Sequence, residues 1–137
     1  METLITFIKF ATFGVTSEIV FTSIADNVNR FRKNEKLDWS LTGVSYIWMI
    51  PIYGSIAFFG PLVIGPLRPY NIFLRLFLYA LLIFVVEYIT GWIIRKMTGN
   101  VPWHYEGRFA IHNLIRLDYL PIWMFFSWLV EILWFHY

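Results

Sequence analysis

Apolar residues do not alternate along this chain; they come in long blocks separated by short polar stretches. A run of about 20 predominantly apolar residues crosses the hydrocarbon of a bilayer as a helix. Four blocks reach that length. The first covers residues 4–28 with Lys9 and Glu18 inside it. The second, residues 41–64, lies in a stretch from 39 to 67 that holds no charge; Ser40 is placed to cap it and Pro51 to kink it. The third covers residues 72–98, with Asn71 as its expected cap, Arg75 and Glu87 inside it, and Arg95, Lys96 and Gly99 as an end signal. The fourth, residues 117–137, is short and aromatic, with Glu131 late in it. The pattern predicts an all-α integral membrane protein: one membrane domain of four transmembrane helices over residues 1–137.

Residues 100–116 are too polar to cross. Trp103, Tyr105, Phe109 and Ile111 interleave there with His104, Glu106, Arg108, His112 and Arg116. Arg108, His112 and Arg116 recur every four residues, so a helix would carry them as one cationic stripe at headgroup level, an interfacial amphipathic segment between helices 3 and 4.

Composition strengthens this picture and narrows the chemistry. Hydrophobic residues make up 58% of the 137, aromatic ones 21% and charged ones only 15%, against about 45–50% apolar and about 25% charged in soluble domains. Cysteine is absent, which removes disulfides, thiol nucleophiles and thiolate metal sites. His104, Glu106 and His112 match no compact metal motif, no serine sits in a glycine elbow, and no phosphate-binding loop occurs in these residues. No metal and no cofactor is expected. The balance of 11 Lys and Arg against 9 Asp and Glu follows the loops, so the expected surroundings are lipid, with no nucleic acid. Arg30, Arg32, Lys33, Lys36, Arg95, Lys96, Arg108 and Arg116 flank one side, and Lys9, Arg68 and Arg75 the other. That bias predicts a plasma or inner membrane protein with its long connections in the cytoplasm and both termini outside. The first segment, with no cationic region ahead of it, reads as a retained span.

An acid at mid-bilayer costs on the order of 3 kcal/mol on insertion scales, so it faces the bundle interior and marks a site. Glu18 and Glu87 are the two informative cases, each with small or polar helical neighbours: Gly14 and Thr22 around Glu18, Thr90 and Gly91 beside Glu87. Both precede a threonine and a basic helix end. Tyr46-Ile47-Trp48-Met49 is echoed by Ile122-Trp123-Met124, which points to two repeated halves whose acids are equivalent and face one another. Asp118 and Tyr119 open the fourth helix and are candidates for the mouth of the same cavity. Trp103, Trp48 and Tyr105 could wall it. Arg108, His112 and Arg116 are candidates for a lipid headgroup.

The stretches Glu18-Ile-Val-Phe-Thr22, Ile52-Tyr53-Gly54, Glu87-Tyr-Ile-Thr90-Gly91, Pro102-Trp103-His104-Tyr105 and Leu117-Asp118-Tyr119 with Trp123 carry a resemblance. In that order they resemble the small membrane proteins grouped as type IV ABC-transporter permease-like proteins, similar to the vertebrate transmembrane protein 229 group. The resemblance implies four membrane helices with a Glu in the first and third. It also implies an acid after the Trp of the last loop; here that position is His104, so the acid's role does not carry over. A later Glu of the family appears as Asp118, and the family's Asn-Gly stretch as His112-Asn113.

Three functions fit these residues. A carrier or transport-associated subunit would hold a proton, a cation or a polar, lipid-like ligand at Glu18 and Glu87, as a homodimer or beside a partner membrane subunit. An intramembrane enzyme would use a protonated Glu as general acid on an isoprenoid or lipid. A scaffold would use both acids only to hold helices together.

Overall fold

The computed structural model of the chain describes residues 1–100 and 103–135. Residues 101–102 of the expected interfacial segment and 136–137 of the fourth block lie outside the described residues. The fold is mostly helical: α1 (Glu2–Arg32), α2 (Met49–Gly54), α3 (Ile56–Leu67), α4 (Ile72–Thr98), a two-stranded hairpin β1 (Ala110–Ile111) and β2 (Ile115–Arg116), and α5 (Leu120–Trp134) entered through a 3-10 turn, Leu117–Tyr119. Three helical stretches are long and apolar enough to cross a membrane: Glu2–Arg32, Ile72–Thr98 and Leu117–Trp134. The chain divides into two compact units, Met1–Gly65 and Pro66–Tyr137.

In the first unit, α1 runs for 31 residues, about 46 Å at the helical rise and longer than a hydrocarbon core of about 30 Å. Its last turn carries Arg30 and Arg32. The second block departs from expectation. No helix starts at Ser40; residues 39–45 are non-helical, and the helix begins at Met49. Polar groups of α1 hold this stretch open instead. The Asn27 side chain donates to the Asp38 carbonyl at 2.7 Å and accepts from the Asp38 amide at 2.8 Å, and the Val44 amide donates to the Thr22 hydroxyl at 2.7 Å. Gly43 lies so close to the Ile19 carbonyl that a Cβ there would collide with it. These bonds satisfy backbone groups that a helix would otherwise bond internally, so tertiary contacts override apolar composition. Further on, Ser55 interrupts the helix between α2 and α3, its hydroxyl donating to the Ile52 carbonyl at 2.7 Å. Such back-bonding bends helices.

In the second unit, Asn71 caps α4 by accepting the Phe73 amide at 2.9 Å, and Gly99 ends it in the left-handed region at φ 74°. That conformation suits glycine, which has no Cβ to clash. The interfacial segment also departs from expectation. It folds as a hairpin, with Ala110 paired to Arg116 and Ile111 to Ile115. His112 and Asn113 sit at φ 49° and 61° and Gly107 at φ 116°, values that no α-helix contains. Arg108, His112 and Arg116 therefore do not form a helical stripe: Arg108 precedes the hairpin, His112 is in its turn, and Arg116 is on β2. Pro121 at the start of α5 costs no intrahelical bond.

Candidate functional site

In the first unit, Glu18 lies halfway along α1, and the non-helical stretch and α2 bring two hydroxyls to it. Ser45 Oγ donates to Glu18 Oε2 at 2.6 Å, and Tyr53 Oη donates to Oε1 at 2.8 Å. One turn before the acid, Gly14 is buried directly against the Tyr53 ring, where a Cβ would overlap ring carbons. Glycine at this spot lets the tyrosine lie against the helix and aim its hydroxyl at the carboxyl. Thr22, one turn after, is spent on the backbone: its hydroxyl donates to the Glu18 carbonyl at 2.8 Å while accepting the Val44 amide.

At the polar end of this unit, Asp38 organises the start of the non-helical stretch. Its carboxylate accepts from the Ser40 hydroxyl and amide and from the Thr42 hydroxyl at 2.9 Å. Those bonds, the Ser40 hydroxyl first, hold its pKa down at about 2.

In the second unit, Glu87 is buried on α4, and Tyr105 Oη donates to its Oε1 at 2.6 Å. Gly91, one turn on, receives the Trp103 ring and Leu114. The Trp103 indole N–H donates to the Leu114 carbonyl at 2.9 Å inside this packing, so Trp103 is a buried brace for the loop. Tyr119 stands edge-on to Tyr105 with ring centroids 5.6 Å apart, and the Arg116 guanidinium lies 4.9 Å over the Tyr119 ring. Asp118 forms a bidentate pair with Arg116 at 2.8 and 2.9 Å, which raises the Arg116 pKa above its ordinary value. The structure thus gathers Glu87, Trp103, Tyr105 and Tyr119 in one unit, with Asp118 tied to Arg116 at its edge. Glu18 has its own partners in the other unit. Trp48 stands exposed before α2. Of the headgroup candidates, His112 Nδ1 shares a hydrogen bond of 2.8 Å with Tyr88, and Arg108 lies 5.9 Å from the Phe109 ring centroid.

A family model described as "Putative ABC-transporter type IV" matches residues 5–136. The chain belongs to that family. No solved structure matches it. With its three long apolar helices, this family member is a membrane protein of the ABC-transporter-like, transport-associated kind.

One pair of charged residues in this member escaped the sequence reading as a pair. Arg75 in the first turn of α4 and Glu131 in the last turns of α5 form a buried two-bond ion pair, Nε to Oε2 at 2.9 Å and Nη2 to Oε1 at 2.5 Å. Arg75 Nη1 also donates to the Tyr70 carbonyl at 3.0 Å and the Arg68 carbonyl at 3.3 Å. The signal was present: a lone base and a lone acid at the same end of two neighbouring antiparallel spans need one another. Ser45 carried no such signal, because it is 27 positions from the acid it serves.

Proposed function

We propose that this ABC-transporter-like protein is a transport-associated membrane subunit that binds a polar, cationic or lipid-like ligand at Glu18 and Glu87. The observation that carries the reading is the matched treatment of two acids. Each sits midway along a membrane-length helix, each accepts a tyrosine hydroxyl from the chain that follows that helix, and each has a helical glycine one turn away that admits an aromatic ring. Hydroxyl donors fix where a carboxyl's oxygens point without neutralising it, which suits a group that exchanges a proton or cation. Tyr105, Tyr119 and Trp103 supply aromatic surface beside Glu87, and Arg108, His112 and Arg116 a basic hairpin for a lipid headgroup.

The broken helix from Met49 to Leu67 acts as a fourth crossing in this reading. The Lys and Arg bias of the flanks supports an orientation with the connections after α1 and α4 in the cytoplasm and both termini outside. No phosphate-binding loop occurs in these residues, so any ATP-driven step belongs to a partner subunit, and a scaffold this small works as a homodimer or beside such a subunit. The order of the sequence motifs supports the narrower likeness to the transmembrane protein 229 group.

Native mass spectrometry of the detergent-purified protein tests the reading, comparing wild type with Glu18→Gln and Glu87→Gln. The expected result is a small molecule or lipid that co-purifies with wild type and is lost from either variant. An empty wild type, with oligomer and thermal stability unchanged in both variants, would sink it.

A further inference from the structure

The non-helical stretch after Asp38 poses a solvation problem. Its contacts set its depth against α1: Asp38 bonds Asn27, Val44 bonds Thr22, and Ser45 bonds Glu18. Glu18 is 12 residues before Arg30 on the helix, about 18 Å along its axis. The stretch therefore descends from the basic end of α1 to the middle of a membrane-length helix without being helical. Along it, the amides of Leu41, Thr42, Gly43 and Ser45 meet no acceptor among the described residues. An unbonded amide in hydrocarbon costs several kcal/mol, and irregular backbone at membrane depth is tolerated only where protein covers it or water reaches it.

The side chains decide between these. Thr22, Ser40, Thr42 and Ser45 form a track of hydroxyls from Asp38 to Glu18. Thr42 is exposed between the exposed apolar side chains of Leu41 and Val44, and Glu18 itself is only half-buried. At the basic end Asp26 is paired with Arg30 at 2.7 Å; beyond that pair the charged groups bonded into the track are Asp38 and Glu18. Hydroxyl oxygens and carboxylates solvate cations, the carboxylates repel anions, and the bare amides call for water.

We propose that residues 38–45 and the facing side of α1 line a one-sided aqueous path from the basic end of α1 to Glu18, conducting protons or small cations to that acid. This rests on Glu18 being a ligand site, and it adds the route and the sign of the cargo. The glycine at position 43 is part of the device, since it lets the path's wall lie against the Ile19 carbonyl.

Because the chain has no cysteine, single cysteines report water directly. The variants are Ser40→Cys, Thr42→Cys and Ser45→Cys, with Ile24→Cys on the exposed apolar side of α1 as control, each reconstituted in liposomes and treated with membrane-impermeant thiosulfonates. Attack requires the thiolate and hence water, so the path cysteines should react on the order of tenfold or more faster than Ile24→Cys. They should do so from one side only. The trimethylammonium reagent should outpace the sulfonate reagent, and adding Glu18→Gln to Thr42→Cys should remove much of that preference. Ser40→Cys and Thr42→Cys keep the test sound if Ser45→Cys disturbs Glu18.

Path cysteines as slow as the control would overturn the proposal. So would labelling from both sides, or a disulfide joining two chains through Thr42→Cys, which would mean that a second copy covers the stretch. Fast labelling with no ligand lost from Glu18→Gln would sink the ligand reading and leave the path. A ligand lost from a dry stretch would do the reverse.

Discussion

The two units solve one problem with different materials. Each must hold a carboxyl midway along a long apolar helix, and each does so with a tyrosine from the chain that follows, Tyr53 for Glu18 and Tyr105 for Glu87. In the first unit the returning chain is tied down by polar clamps, Asn27 to Asp38 and Thr22 to Val44. In the second it is a hairpin packed by Trp103 and Leu114 against Gly91. The helical glycine precedes the acid in one unit and follows it in the other. Glu18 is left half-buried with two hydroxyl donors, whereas Glu87 is buried at 7% exposure. The second unit alone has a buried ion pair among the described residues. The two units thus share an acid that accepts a tyrosine hydroxyl and differ in how deeply that acid is buried.

That contrast can be broken most strongly at its least symmetric point. Arg75→Ala takes the guanidinium from the buried Glu131 carboxylate and should cost about 3–5 kcal/mol, and Glu131→Ala should cost less because the Tyr70 and Arg68 carbonyls still hold the partly buried Arg75. The joint replacement Arg75→Met with Glu131→Leu should recover most of it. Denaturant unfolding in mild detergent measures this, and amide exchange should place the loss in α4 and α5. Equal loosening of α1 would mean that the units are not separate.

A side chain in place of either packing glycine comes next. Gly14→Val and Gly91→Val each force an aromatic ring off the helix, at about 1–3 kcal/mol. Gly14→Val should also release the Tyr53 hydroxyl from Glu18, read as a shifted tyrosine signal. Silence at either position would remove the parallel between the units.

Smaller effects should separate the acids themselves. Tyr105→Phe removes a hydroxyl donor from a buried carboxyl and should cost about 1.5–3 kcal/mol, while Tyr53→Phe leaves Ser45 in place and should cost less. The reverse order in thermal melts would contradict the burial contrast.

The smallest effect is a pH dependence confined to the first unit. Because folding lowers the Asp38 pKa from 3.8 to about 2, the Ser40 and Thr42 bonds contribute fully above pH 3.8 and are lost as pH falls through about 2. Amide exchange at Ser40 should quicken over that window in wild type and show no such step in Asp38→Asn. A step that survives the substitution would assign it to another group.

The parts of this molecule that were readable in its sequence are those set by local rules. Asn71 and Gly99 mark the ends of α4 because capping and left-handed turns depend on one residue and its neighbours. Glu18 and Glu87 stood out because an acid in an apolar block is anomalous wherever it points. What escaped was set by distant partners. Residues 39–45 are uncharged and apolar enough to pass for helix, and bonds from Asn27, Thr22 and Glu18, supplied by another element, hold them out of one. The four-residue spacing of Arg108, His112 and Arg116 imitated a helix. Gly107 and Asn113 between them were the better guide, since both favour positive φ. Tyr53 and Tyr105 were visible as aromatic residues but not as donors, because nothing local aims a hydroxyl at a carboxyl 35 or 18 positions away.

The bonds around Arg75 also carry a timing. Its partner Glu131 is 56 residues downstream, so at about 5–20 residues per second a ribosome reaches it roughly 3–11 seconds after Arg75 is made. Throughout that interval Glu131 has yet to be made. The carbonyls of Arg68 and Tyr70 precede it in the chain and are already there. The full set of bonds around Arg75 is therefore complete only once α5 has been made.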